Sequence, residues 1–320
     1  MNVLITGGAG YIGSQISYLL TDNKIKNTII DNLSTGYKEL INKKSKFYKV
    51  DISNKKIINK ILRQNKIKAV IHLAGSILVG ESMEKPELYY QNNVCKFVDF
   101  LDECIKYKIK YFIFSSTCAV YDEKYKFVNE KTPLNPKSIY GKTKLYCENI
   151  LKNYSKKYNF KYSILRYFNV IGADSKSRTG QINDSGHLLM NLANALLKKT
   201  IFKVYGKNYK TRDGTAIRDF IDVEDLSMIH FEVLRKMLLL DKSFEINCGK
   251  GRGHTVLEII KKLENSTSKK IKKKFFKRRK GDIEQIVAKN NVLKKKINYK
   301  FKKDLKDSIT TFIEWRKKIK

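Results

Sequence analysis

The run Gly7-Gly8-Ala9-Gly10-Tyr11-Ile12-Gly13 constrains this chain more than any other stretch of it. It follows a short β-like run, Val3-Leu4-Ile5-Thr6, and opens a stretch from Tyr11 to Leu20 with apolar residues at helical spacing. The run satisfies GxGxxG from Gly8 and GxxGxxG from Gly7. In such a strand–turn–helix unit the first glycine permits the tight turn. Gly10 lets the backbone approach a pyrophosphate, and Gly13 allows close helix–strand packing. A phosphate then meets free N–H groups at the helix N-terminus. Asp31 closes a second β-like run, Asn27 to Asp31, at the distance of roughly 20 residues where a carboxylate bonds both ribose hydroxyls. The same carboxylate repels a 2′-phosphate, so the residues predict NAD rather than NADP.

The pattern that follows is an alternation. Strand-like runs at Phe47–Val50, Ala69–Leu73, Tyr111–Ser115 and Tyr162–Arg166 are separated by helical stretches at Ile57–Leu62, Glu87–Lys106 and Ser138–Tyr158. Continuous apolar strands between amphipathic helices predict a parallel sheet covered on both faces, that is, a doubly wound α/β sheet. After about Val170 the rhythm breaks. Residues 172–186 read as polar loop, Leu188–Leu197 and Val223–Leu240 as helices, and Phe202–Tyr205 and Arg218–Val223 as short extended pieces. A C-terminal helix is expected around Leu305, Ile309, Phe312, Ile313 and Trp315. The expected division is a dinucleotide-binding domain over 1–170 and a smaller α+β substrate region over 171–320, partly interleaved with the first.

Composition narrows the function classes. No apolar run approaches the roughly 18 residues of a membrane span, and no basic segment precedes a long apolar core, so neither a membrane anchor nor a signal peptide is expected. The five cysteines form no CxxC pair, which fits a reducing cytoplasm, and the four histidines are scattered, so no metal site is expected. The net charge is +35, from 66 Lys+Arg against 31 acids. The lysines are spread along the chain among abundant Asn, Ile and Tyr, residues that share AT-rich codons. The charge therefore reads as compositional bias and predicts no specific nucleic-acid partner, while still helping to attract an anionic ligand.

Tyr140-Gly141-Lys142-Thr143-Lys144 puts Tyr140 and Lys144 on one helix face. A tyrosine of ordinary pKa ~10 is a poor base at neutral pH. A nearby ammonium favours the phenolate and is expected to lower that pKa. The pair follows Ser115-Ser116-Thr117 at the end of a strand, where ligands of such sheets gather, and the Thr117 hydroxyl can bond a reacting oxygen there.

Together these residues resemble the extended short-chain dehydrogenase/reductase family, and within it the sugar-nucleotide epimerases. The resemblance covers nearly the whole chain. It is carried by Ile5–Ser14, Asp31–Gly36, His72–Gly75, Val79–Ser82, Tyr89–Val94, Ser115–Thr117, Tyr140–Lys144, Arg166–Asn169, Asp213–Thr215, Arg218–Ile221 and Arg278–Asp282. It implies a Rossmann-like fold and a homodimer packed through the helices near Leu88–Lys106 and Ser138–Tyr158. It implies NAD held at Gly7, Gly10, Tyr11, Ile12, Asp31, Asn32, Asp51, Ile52, Ala74, Asn92, Lys144 and Phe168. A UDP-sugar would be bound at Thr117, Tyr140, Asn169, His187, Leu188, Tyr205, Arg218, Arg279 and Asp282. The implied activity is 4-epimerisation of UDP-glucose and UDP-galactose, with Tyr140, Lys144 and Thr117 catalytic. The alternatives are another UDP-sugar, N-acetylated or pentose, and a non-catalytic NAD-binding protein. Sugar-nucleotide dehydratases of the family place an Asp-Glu pair directly after the strand-end Thr, where this chain has Cys118-Ala119. The resemblance also implies that Ile286, four residues after Asp282, stands where the epimerases wall the hexose pocket, the alternative being a core residue away from the sugar. Asp222 stands where a His is frequent, and His187 where an Asn is.

Overall fold

The computed structural model describes residues 1–182, 187–278 and 282–319. The chain opens as β1 (Asn2–Thr6), α1 (Tyr11–Asp22), β2 (Lys26–Asp31), β3 (Lys46–Lys49), α2 (Lys55–Asn65) and β4 (Ile67–His72). Two short helices, α3 (Val79–Glu84) and α4 (Pro86–Tyr89), lead through a π-helical stretch at Tyr90–Cys95 into α5 (Lys96–Lys106). Then come β5 (Tyr111–Thr117), β6 (Phe127–Val128), α6 (Ile139–Tyr158), β7 (Lys161–Tyr167), β8 (Asn169–Ile171) and α7 (Leu188–Leu197). The remainder is β9 (Phe202–Tyr205), β10 (Ile217–Asp222), α8 (Val223–Leu240), β11 (Phe244–Cys248), β12 (Gly253–Thr255), α9 (Val256–Thr267), β13 (Lys273–Phe276), β14 (Gln285–Ala288) and α10 (Leu305–Lys318).

The main sheet has seven parallel strands in the order β11-β7-β5-β4-β1-β2-β3. The chain winds outward from β1 in one direction, then from β4 in the other, so the strand order reverses between β1 and β4. That crevice is where such sheets bind ligands. Successive side chains alternate between two cores. Val3, Ile5, Ile71, Ile113 and Leu165 pack with residues of α1 and α8, while Leu4, Ile30, Val70, Phe112 and Ile164 pack with those of α2, α5 and α6. Both faces are dry, which is why these strands read as unbroken apolar runs.

A second sheet, β12-β10-β14-β6 with β8 also paired to β10, carries a separate core shared with α7, α9 and α10. β13 and β9 form a two-stranded parallel ribbon. The doubly wound sheet is as expected, and α7 and α8 occupy the expected spans. Two features differ from the sequence reading. The helix expected over Glu87–Lys106 is divided by the π-helical stretch. A strand with no strong sequence signal, β11, returns from the far half of the chain to become the sheet's edge beside β7.

Candidate active site

The turn after β1 is shaped by steric necessity. Gly7 sits at φ +67, and a Cβ there would come within 2.9 Å of the Ala74 amide nitrogen. A Cβ on Gly13 would meet the Gly7 carbonyl oxygen at 2.4 Å. Any side chain at either position would push the turn off the β4 loop or α1 off the turn. Gly10 caps α1 without a side-chain bond, and the first turn of the helix holds no acid. The amide groups at this helix start therefore carry positive potential with no carboxylate to quench it, which fits a pyrophosphate.

The other expected cofactor residues lie on several elements. Asp31 accepts from the Ala9 amide at 3.0 Å and the Leu33 amide at 2.8 Å. Burial raises its pKa, and those two bonds oppose the rise. Asn32 donates to Asp51 at 2.9 Å, and Lys96 pairs with the same carboxylate at 2.9 Å. Burial alone would raise Asp51, but bonds from Ser53, Lys96 and Asn32 outweigh it and hold the group at about 2. Ile52 and Phe168 are buried. Tyr11 donates to the Gly172 carbonyl at 2.6 Å, tying α1 to the loop after β8. Asn92 donates to Ser76 at 3.2 Å. Three residues beyond the expected set also shape the crevice. Thr6 accepts from the Leu73 and Ala74 amides, both at 3.1 Å, which leaves its own O–H to donate to His72 Nδ1 at 2.9 Å. Lys96 anchors Asp51, as above. Asn93 accepts from the Ser76 amide at 2.7 Å and donates to Thr143 at 3.2 Å, joining the β4 loop to α6. Asn93 lies inside the motif Tyr89–Val94, which was its available signal.

Thr117, Tyr140 and Lys144 come together at the end of β5. Ser138 caps α6 by accepting from the Gly141 amide at 3.1 Å. Gly141 itself packs so closely that a Cβ would lie 2.4 Å from the Ala119 carbonyl oxygen. This close approach seats the first turn of α6 on the strand end, with the Tyr140 phenol beside Thr117. The Lys144 ammonium donates to the Ser115 carbonyl at 2.9 Å and lies 4.9 Å from the centre of the Phe114 ring. Burial lowers Lys144 to about 8. It raises Tyr140 to about 12, against the opposing effect of the Thr117 bond. The expected lowering of Tyr140 by Lys144 is therefore corrected. The two share a helix face, but Lys144 spends its ammonium on the strand carbonyl, and desolvation of the phenolate dominates at Tyr140.

The expected substrate residues lie on several elements. Arg218 on β10 pairs with Asp282 at 2.6 Å. Asn169 on β8 stands opposite Phe220 of β10. Asn169, His187 and Leu188 line one small pocket together with Phe220 and Phe312, and burial lowers the His187 pKa. Tyr205 ends β9 with its ring 5.9 Å from that of Phe276. Arg279 lies outside the described residues. Ile286 pairs with Arg218 in the β10–β14 register. It is buried in a cluster with Val120, Tyr121 and Phe168, against which Cys118, the neighbour of Thr117, packs.

Residues 3–249 match the NAD dependent epimerase/dehydratase family, and the chain belongs to that family. A UDP-glucose 4-epimerase of Lactobacillus helveticus is 38% identical over 99% of this chain and 97% of its own length. A crystal structure of UDP-glucose 4-epimerase from Brucella ovis, in complex with NAD, superposes with a TM-score of 0.94 at 34% identity, covering 98% of this chain and 97% of that one. Another, from Stenotrophomonas maltophila with bound NAD and formylated UDP-arabinopyranose, superposes with a TM-score of 0.96 at 28% identity over 100% of this chain and 98% of that one.

Proposed function

We propose that this chain interconverts UDP-glucose and UDP-galactose by transient oxidation at sugar C4. One observation carries the reading: Tyr140 stands beside Thr117 at the end of β5, with Lys144 held on the same strand end. Relatives that align along the whole chain bear the name UDP-glucose 4-epimerase. NAD would be held by the Gly7–Gly13 turn, Asp31 and the Asp51 cluster, and would supply reversible hydride acceptance at sugar C4. Tyr140 holds and gives back the proton of the 4-hydroxyl, and Thr117 bonds the same oxygen. Tyr140 is a phenol at neutral pH, so it is poised first as a donor, and proton uptake requires a nearby positive charge to lower it. In the free protein Lys144 is committed to the Ser115 carbonyl and does not lower Tyr140; with cofactor and sugar bound, its charge, present below about pH 8, would be the one on hand to do so. Arg218, already oriented by Asp282, offers fixed forked donors to a diphosphate. Arg279 is proposed as a further diphosphate contact on the motif alone.

The test is direct. Purified protein should convert UDP-galactose to UDP-glucose with no added cofactor, and NAD should be extractable from it. Failure to turn over either sugar with NAD bound would end the reading. A second reading, a UDP-pentose as substrate, is favoured by the UDP-arabinopyranose named for the Stenotrophomonas structure, and UDP-arabinose belongs in the same assay.

The working form is proposed to be a homodimer. Leu78, Val79, Met83, Leu88 and Tyr146 expose apolar surface around α3, α4 and α6, and Tyr90 stacks on Tyr146 at 6.2 Å. A contiguous patch of this kind fits a two-fold pairing of helices. A cytoplasmic location is proposed from the five free cysteines. Among the described residues no helix is long and apolar enough to cross a membrane.

A further inference from the structure

Glu148 follows Lys144 by four residues and Tyr140 by eight, so all three project from one face of α6 toward the end of β5. Its side chain is wholly buried, as is that of its partner Arg166 on β7. Arg166 donates to both carboxylate oxygens, at 3.0 Å through Nε and 2.7 Å through Nη2. The Ser116 hydroxyl donates to Glu148 at 2.5 Å. Ser116 stands opposite Arg166 in the β5–β7 register. It also lies between Ser115, whose carbonyl holds Lys144, and Thr117, beside which Tyr140 stands. Arg166 is fixed in turn by the Tyr121 hydroxyl at 3.0 Å and by Glu245 of β11 at 3.1 Å.

A fully buried ion pair is a weak source of stability, because desolvation cancels most of its attraction. Its geometry does something else here. We propose that Glu148 is a positioning residue for the reaction: through Ser116 it clamps the Ser115–Thr117 strand end against α6, and it keeps a negative charge beside the Lys144 ammonium. This rests on the epimerase reading.

The groups around Lys144 support the second part. On α6, Cys147 is pushed up to about 12 by burial, and Tyr140 to about 12. On β4, His72 is held down at about 3 by burial and by Lys144 itself. None of the three is charged at neutral pH. Arg166 approaches from β7 behind Glu148. Burial lowers Lys144, and Cys147 and Glu148 oppose it; of these two, Glu148 is the one ion-paired to a cation, Arg166. Removing its charge leaves the Arg166 cation facing Lys144 without a screen. Lys144 then loses its proton at a lower pH.

The experiment is a pH–rate profile of the NAD-loaded protein with UDP-galactose for the wild type, Glu148→Gln and Ser116→Ala. Wild-type kcat should fall on the alkaline side near pH 8. In Glu148→Gln that limb should move to lower pH by about one unit, with kcat lowered about 10- to 100-fold and KM little changed. In Ser116→Ala the clamp is lost but the charge remains, so kcat should fall while the limb stays in place. A folded Glu148→Gln protein with the wild-type limb and kcat would overturn the proposal, as would wild-type kcat in Ser116→Ala. If Glu148→Gln does not accumulate, the joint replacement Glu148→Leu with Arg166→Met removes both charges without stranding either, and wild-type kcat there overturns the proposal equally. A wild type inactive on every UDP-sugar would instead break the underlying epimerase reading.

Discussion

The cofactor turn and the substrate side of this molecule are built by opposite means. The turn is seven contiguous residues plus Asp31, and its geometry follows from where a Cβ cannot fit. The substrate side draws Asn169, His187, Tyr205, Arg218 and Asp282 from β8, the start of α7, β9, β10 and the segment before β14. No local rule brings those residues together. Arg218 and Asp282 meet where β10 pairs with β14, and Asn169 lies beside β10 because β8 pairs with it. Changes at the turn should therefore act locally on the cofactor, whereas changes on the substrate side should disturb affinity and packing together.

The sharpest test of that contrast removes a group from the junction of the two regions. Tyr140→Phe should lower kcat by about 10²- to 10⁴-fold, the usual worth of an acid–base group, while NAD content and thermal midpoint stay near wild type. Single-turnover rates equal to wild type would remove Tyr140 from the chemistry. Next is Arg218→Ala, which takes away a diphosphate donor and the Arg218–Asp282 ion pair. UDP-sugar affinity should fall by about 1.5–3 kcal/mol, read as KM and by calorimetry with UDP, and the protein should also lose stability. A change in KM with no change in thermal midpoint would show the two sides to be less different than proposed.

Ile286→Ala addresses sugar size. Ile286 is buried against Phe168 rather than openly facing a pocket, so truncation should cost stability first. If its wall role holds, the kcat/KM ratio for UDP-galactose over UDP-N-acetylgalactosamine should then fall by about 1–3 kcal/mol in selectivity. An unchanged ratio would place the wall elsewhere. The smallest effect is expected at Asp31→Ala, where the preference for NAD over NADP should narrow about tenfold while the fold and kcat at saturating NAD persist. Stoichiometric NADP extracted from the wild type would contradict the assignment.

The same contrast explains what the sequence makes legible. The glycine turn, Asp31 and the apolar strands of the main sheet are readable because each signal is contiguous. β11 is not, because Glu245 and Asn247 interrupt its apolar residues. Its polar positions make sense only in three dimensions, where Glu245 meets Arg166 and Asn247 accepts from the Tyr121 hydroxyl at 2.7 Å. The Tyr140–Lys144 pairing shows the converse. Four-residue spacing correctly places both side chains on one face, yet it cannot reveal that the Ser115 carbonyl competes for the ammonium. Spacing specifies direction, and burial decides charge.

The position of β11 also bears on how the protein is made. β7 ends at Tyr167 and its outer neighbour begins at Phe244, so roughly 80 residues must leave the ribosome before the main sheet acquires its last strand. At typical synthesis rates of about 5–20 residues per second, β7 presents open hydrogen-bonding groups for several seconds. Open edges of that kind invite pairing with other chains. Over that interval β7 is an edge strand that the finished sheet covers with β11. A fragment ending near residue 170 would retain that exposed edge permanently.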